Sequence, residues 1–208
     1  MRLGIFGGSF DPPHVGHLLV AQDAIEALSL DRLLVVPAGQ QPLKQGRHIA
    51  PEHRLAMVQH CFSGIPRISV DPIEIERGGL SFMVDTVETL RQRWPSATLH
   101  LLVGEDVLAT LPRWREPERL RSMVRLVVLR RDSGDTPADD PSAPRDEPGA
   151  PVQFLATRRV DVSSTEIRAR VRDGRSIRGF VTDAVADYIA SAGLYLQAPD
   201  AADDSARA

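Results

Sequence analysis

Residues 3–17 constrain the fold more than any other stretch of this chain. Leu3 to Phe6 is an apolar run of the kind that forms a short buried strand, and Gly7-Gly8-Ser9-Phe10-Asp11-Pro12-Pro13 reads as a turn. Leu18 to Ala21, with Ala24 and Ile25, then supplies the apolar face of a helix. The glycine pair lets the backbone bend sharply and come close to a ligand, because no Cβ intervenes. Amides at such a turn and at the helix start can point at an anion. His14 and His17, three residues apart, are expected to project from one face of the first helical turn, with Gly16 leaving room against that face. Strand, glycine turn and paired imidazoles describe a phosphate site. The dinucleotide pattern G-x-G-x-x-G is absent, since Ser9 and Phe10 follow the glycines, and no Gly-Lys-Ser/Thr follows the turn. No carboxylate or cysteine joins the histidines at a recognisable metal-ligand spacing, so no metal ligand is assigned.

Downstream, apolar strand-like runs alternate with helical patterns. Arg32–Val36, Ile68–Val70, Thr98–Val103, Leu126–Leu129 and Val152–Leu155 read as strands. Pro51–Phe62, Ser81–Trp94, Glu105–Leu111 and Glu116–Met123 read as helices, the first with proline where the missing amide costs nothing. This alternation predicts an α/β fold: a Rossmann-like, doubly wound, mainly parallel sheet with helices on both faces. Ligands of such sheets sit beyond the strand C-termini, where the Gly7 loop falls.

A chain of 208 residues, 42% hydrophobic, can bury a full core as one domain over residues 1–197. The net charge of −3 leaves no electrostatic footprint for nucleic acid. No apolar run approaches the ~20 residues needed to span a bilayer, and nothing reads as a signal peptide, so a cytoplasmic protein is expected. The single cysteine, Cys61, sits in a helical apolar pattern with Met57, Val58 and Phe62 and reads as a reduced core residue. Residues 132–150 are rich in Pro, Asp, Ser and Gly and nearly devoid of large apolar side chains. They read as a flexible insertion between two strands that a short turn could bridge. Residues 198–208 read as a disordered tail.

A second motif is Val162-Ser163-Ser164-Thr165-Glu166-Ile167-Arg168. Ser163 and Glu166 have capping-box spacing, so a helix is expected to start here. A helix start with hydroxyls and an arginine one turn in can serve an anion, or can be an ordinary capped helix with a surface arginine.

The stretch from Gly7 to His17 resembles the G-G-[ST]-F-D-P-x-H-x-G-H signature of the nicotinate-nucleotide adenylyltransferases, which belong to the HxGH nucleotidyltransferase superfamily. Val162 to Arg168 resembles the family's I-S-S-T-x-I-R, with Val162 for isoleucine. Ser81 to Thr86 resembles S-Y-T-x-[DN]-T, with Phe82 for tyrosine and Met83 for threonine. Leu102 to Asp106 resembles M-G-x-D, and Leu111 to Trp114 resembles L-P-x-W. Gln41-Pro42-Leu43 stands where the family has proline-proline-histidine before its lysine, here Lys44.

The resemblance implies transfer of AMP from ATP to nicotinate mononucleotide, with Mg²⁺ arriving on the ATP and pyrophosphate leaving. His14, His17, Lys44 and Arg168 would be catalytic. ATP would also meet Gly7, Gly8, Ser9, Phe10 and Gly16 in the first motif. Gly104, Asp106, Ser164 and Thr165 would contact it from elsewhere in the chain. Lys44, Thr86 and Trp114 would serve the pyridine nucleotide, Trp114 by stacking; a core tryptophan is the competing reading. No nucleic-acid or membrane partner is implied, and a homo-oligomer stays open. The superfamily pattern also admits pantetheine-phosphate adenylyltransferases and small cytidylyltransferases, and a non-catalytic nucleotide sensor is the alternative from another class.

Overall fold

The computed structural model describes residues 1–42, 49–131 and 152–196. Lys44, the 132–150 insertion and the 198–208 tail lie outside the described residues. Six strands form one sheet: β1 (Arg2–Gly8), β2 (Arg32–Pro37), β3 (Ile68–Val70), β4 (Thr98–Gly104), β5 (Arg125–Arg131) and β6 (Gln153–Thr157). Their order is β3-β2-β1-β4-β5-β6, and each neighbouring pair is parallel. Chain order therefore runs outward from β1 to β3 and outward again from β4 to β6. The direction reverses between β1 and β4, which is where sheets of this kind take their ligands.

The sheet is covered on both faces because its strands are apolar on both. Successive side chains alternate sides. Leu3 and Ile5 of β1, Leu34 and Val36 of β2, Leu101 and Val103 of β4, and Leu126 and Val128 of β5 belong to one core. That core is closed by α3 (Ile73–Arg77), α4 (Met83–Arg93) and α6 (Pro117–Met123), through Ile73, Val84, Val87, Leu90, Leu120 and Met123. Phe6, Leu33, Val35, Leu102, Val127 and Leu129 face the other way. There they meet α1 (Val15–Ala27), α2 (Pro51–Phe62), α7 (Ser164–Arg172) and α8 (Asp183–Ser191). A short α5 (Glu105–Leu108) and a 3₁₀ turn, Leu111–Arg113, follow β4.

Element positions depart from the sequence reading in small, explicable ways. The predicted helix over Ser81–Trp94 starts at Met83, because Phe82 is extended (φ −103°, ψ 123°). The expected helix over Glu105–Leu111 is split into α5 and the 3₁₀ turn at Leu111. The expectation that a short turn could bridge the strands flanking residues 132–150 is wrong. Because β5 and β6 are parallel, with Val127 opposite Gln153 and Arg131 opposite Thr157, the chain must return from the C-terminal end of β5 to the N-terminal end of β6.

Candidate active site

The loop after β1 is shaped by one buried ring. Phe10 takes a left-handed backbone (φ 48°), uncommon for a bulky residue, and buries its ring to 2% exposure. That ring packs edge-on against Phe6, 5.5 Å between centroids, and against His17 at 5.0 Å. Burial of a phenyl ring, ~1.5–3 kcal/mol, is enough to offset local backbone strain of order 1–3 kcal/mol.

His14 is the N-cap of α1 rather than part of its first turn, with φ −144° and ψ 171°. The two imidazoles still stack, 3.8 Å between centroids. Nδ1 of His17 accepts the backbone N–H of His14 at 3.1 Å. An Nδ1 that accepts carries no proton, so in the neutral ring the hydrogen resides on Nε2 as a donor. His17 lines the cavity described below; His14 stands behind it. The space that Gly16 leaves is filled by His14 itself, since a Cβ there would come within 3.0 Å of its ring.

Side chains distant in sequence hold the loop's carbonyls. Ser164 Oγ donates to the Pro12 carbonyl at 2.8 Å, and Arg168 Nη1 donates to that of Asp11 at 2.7 Å. Thr165 Oγ1 accepts a further bond from Arg168 Nη2 at 3.2 Å. Ser163 caps α7 by accepting from the Glu166 amide at 3.1 Å, as its spacing predicts. The second motif thus abuts the first, and Arg168 supports the histidine loop while retaining donors beyond these bonds.

Two residues that the sequence reading missed complete this support. Arg54 is 3% exposed and donates to the carbonyls of Ser9 (3.0 Å), Gly39 (2.6 Å) and Ile49 (3.1 Å), as well as to Ala38. Burial lowers its pKa, opposed chiefly by the nearby Asp11 carboxylate. Tyr195 donates its hydroxyl to Asp11 Oδ1 at 2.6 Å; burial foremost, and then Asp11, push its ionisation upward. Arg54 was legible in principle. It occupies the position three and four residues before Met57 and Val58, a charge on the apolar face of a helix.

A cavity of about 420 Å³ opens at the sheet's reversal point. The predicted residues Gly7, Gly8, Ser9, Phe10, His17, Gly104, Asp106, Trp114 and Ser164 line it. At Gly104 a Cβ would lie 2.5 Å from Asp106 Oδ1, so the glycine admits the aspartate's fold-back. Trp114 donates Nε1 to Thr110 Oγ1 at 3.3 Å and presents the rest of its ring to the cavity wall.

Thr86 is placed differently from its expected role. It is fully buried; its hydroxyl donates to Glu74 Oε1 at 2.7 Å and accepts from Arg77 Nη2 at 3.0 Å. The cavity wall on this side is instead Glu74, Ser81, Phe82 and Met83. Glu74 is 3% exposed, and burial raises its carboxyl pKa against the opposing bonds and cations. Ser81 Oγ accepts the Gly39 amide at 2.9 Å, joining this wall to the loop after β2.

The fold and the paired motifs define a nucleotidyltransferase: residues 5–170 match the cytidylyltransferase-like family model. A relative from Gemmatimonas aurantiaca, named "probable nicotinate-nucleotide adenylyltransferase", is 65% identical over 100% of this chain and 98% of its own. One of the same name from Roseiflexus sp. is 44% identical over 93% and 97%. The chain belongs to the nicotinate-nucleotide adenylyltransferase family. A solved structure of the Plasmodium falciparum nicotinic acid mononucleotide adenylyltransferase complexed with NaAD shares the fold, with a TM-score of 0.73 at 21% identity. It covers 93% of this chain and 97% of its own. Among the described residues no helix is long and apolar enough to cross a membrane.

Proposed function

We propose that the chain transfers AMP from ATP to nicotinate mononucleotide, releasing pyrophosphate and forming nicotinate adenine dinucleotide. The acceptor's phosphate oxygen attacks the α-phosphorus in line, and the bond to the bridging oxygen of pyrophosphate breaks. No protein nucleophile takes part, so the chain contributes positioning and charge stabilisation. The observation that carries this reading is the convergence of His17, the Gly7-Gly8 turn and the start of α7 on one cavity at the sheet's reversal point.

The Nε2–H of His17 donates to the phosphates, with His14 stacked behind it. The amides of the β1 turn face the same anion, and Lys44 and Arg168 neutralise remaining charge. Ser164 and Thr165 complete the triphosphate's surroundings, Asp106 orients the nucleotide, and Trp114 stacks on the pyridine. Mg²⁺ would be held by the triphosphate and water, its usual mode with phosphates, neutralising charge on the leaving group. The lining residues suit a triphosphate, since His17, Ser9, Ser164 and the amides of the glycine turn can all donate hydrogen bonds there. These assignments are tested by pyrophosphate release with ATP or CTP against nicotinate mononucleotide, nicotinamide mononucleotide and phosphopantetheine. Release with ATP and the nicotinate nucleotide is expected to dominate. Silence with that pair would overturn the reading.

A further inference from the structure

Met83 opens α4 and lines the cavity with a partly buried side chain. A Cβ on Gly7 would lie 2.7 Å from its Cε, so the bare glycine is what lets the thioether rest against the phosphate turn. Threonine stands at this position in the family motif, so the sulfur is an addition to that motif. The other sulfur atoms are either shielded or remote from the site. Met57 and Met123 are buried, and Met1 lies at the opposite end of β1 from the turn. Cys61 is buried as well, and that burial pushes its thiol up to about 12, withholding the thiolate that reacts with peroxides. Among the described residues, Met83 is the one sulfur-bearing side chain that lines the cavity.

We propose that Met83 is a site of reversible oxidation by hydrogen peroxide that switches the phosphate site off. The thioether sulfur attacks one peroxide oxygen: an S–O bond forms, the O–O bond breaks, the sulfur is oxidised by two electrons, and the peroxide is reduced to water. The product sulfoxide is polar, and its oxygen can only accept hydrogen bonds. Against Gly7 it competes with phosphate oxygens for the amides of the turn, since both are acceptors in need of the same donors. The effect on rate rests on the assignment of those amides to phosphate above.

The test exposes wild type, M83L and M83T to hydrogen peroxide, with and without ATP, and follows peptide masses beside pyrophosphate release. Each protein is compared with its own untreated rate, and thermal melting checks the fold after oxidation. Wild type is expected to lose about 10–100-fold in rate, the scale of a donor diverted to a competing acceptor, in step with the gain of one oxygen on the Met83 peptide. ATP should slow oxidation of Met83 but not of Met1. Methionine sulfoxide reductases with dithiothreitol should restore the rate, and M83L and M83T should keep most of theirs. Full oxidation of Met83 without loss of rate would overturn the inference. So would a Met83 that stays reduced while Met1 is oxidised, a loss explained by unfolding, or an equal loss in M83L that tracks Cys61 or Trp114. Untreated wild type that releases no pyrophosphate would reject the reaction above; ATP protection of Met83, read by mass alone, would still decide whether its sulfur borders the phosphate site.

Discussion

At the residue scale, His17 combines two jobs that can be separated by measurement. Its Nδ1 caps the His14 amide, and its Nε2–H is the donor assigned to phosphate. His17→Ala should cost about 1 kcal/mol of stability, the scale of one lost hydrogen bond at a helix start, but about 10²–10³ in kcat, as for loss of one preorganised donor. Parallel melting and initial-rate assays check this, and a folded variant of near-wild-type rate would contradict it. Arg54 makes the opposite case: it touches no substrate group assigned here, yet ties two loops together. Arg54→Lys keeps the charge but cannot span the carbonyls of Ser9, Gly39 and Ile49 from one nitrogen. A loss of about 2–4 kcal/mol is expected from unpaired buried carbonyls, read as a lower denaturant midpoint with a raised KM for ATP. The histidine loop was legible because its glycines, prolines and imidazoles are each informative locally. Tyr195 and Glu74 were not, because a buried polar side chain is defined by partners far away in sequence. Thr86 was recognised by resemblance, but its hydroxyl is directed at Glu74, and no local pattern specifies that direction.

At the element scale, the strands and α2 were legible because the apolar runs are bounded by turn residues and interrupted on cue. The five-residue α3 was not, since Ile73-Glu74-Ile75-Glu76-Arg77 alternates like a strand. Tertiary packing decides it: Ile73 enters the core below β2, and Glu74 is buried facing Thr86. That burial makes the α3–α4 junction sensitive to pH. Glu74 has a native pKa above its ordinary 4.5, so its protonated form is the one the fold favours. The stability it contributes is fully present below 4.5 and is lost as pH rises through the raised native value. Glu74→Gln keeps an oxygen to accept from Thr86 and cannot ionise. Its stability relative to wild type should therefore increase from pH 5 to pH 8 in urea melts, and a difference independent of pH would refute the assigned burial effect.

At the scale of the whole molecule, the sheet order carries the consequences that sequence alone hid. The alternation of elements indicated a parallel sheet, but not that β6 lies parallel to β5 at its edge, since pairing is non-local. Deleting residues 132–149 would leave a link too short to carry the chain back along the length of the strands, because parallel neighbours need a crossover of about a dozen residues. That deletion should detach β6, with loss of soluble, active protein. A version trimmed to about a dozen linking residues should keep kcat/KM within a few-fold, measured by pyrophosphate release. Equal activity of both would show that the β5–β6 pairing is dispensable. The tethering of the Asp11 loop by Arg168, by the Phe180 carbonyl through Val15 and by the Tyr195 hydroxyl has a consequence in time. A chain leaving the ribosome has its histidine motif early, and Arg54 soon after, but Arg168 and Tyr195, the groups that hold Asp11, arrive more than 150 residues later. Chains truncated before Tyr195 are therefore expected to release pyrophosphate far more slowly than the full chain, and equal rates would show that the late tethers are dispensable.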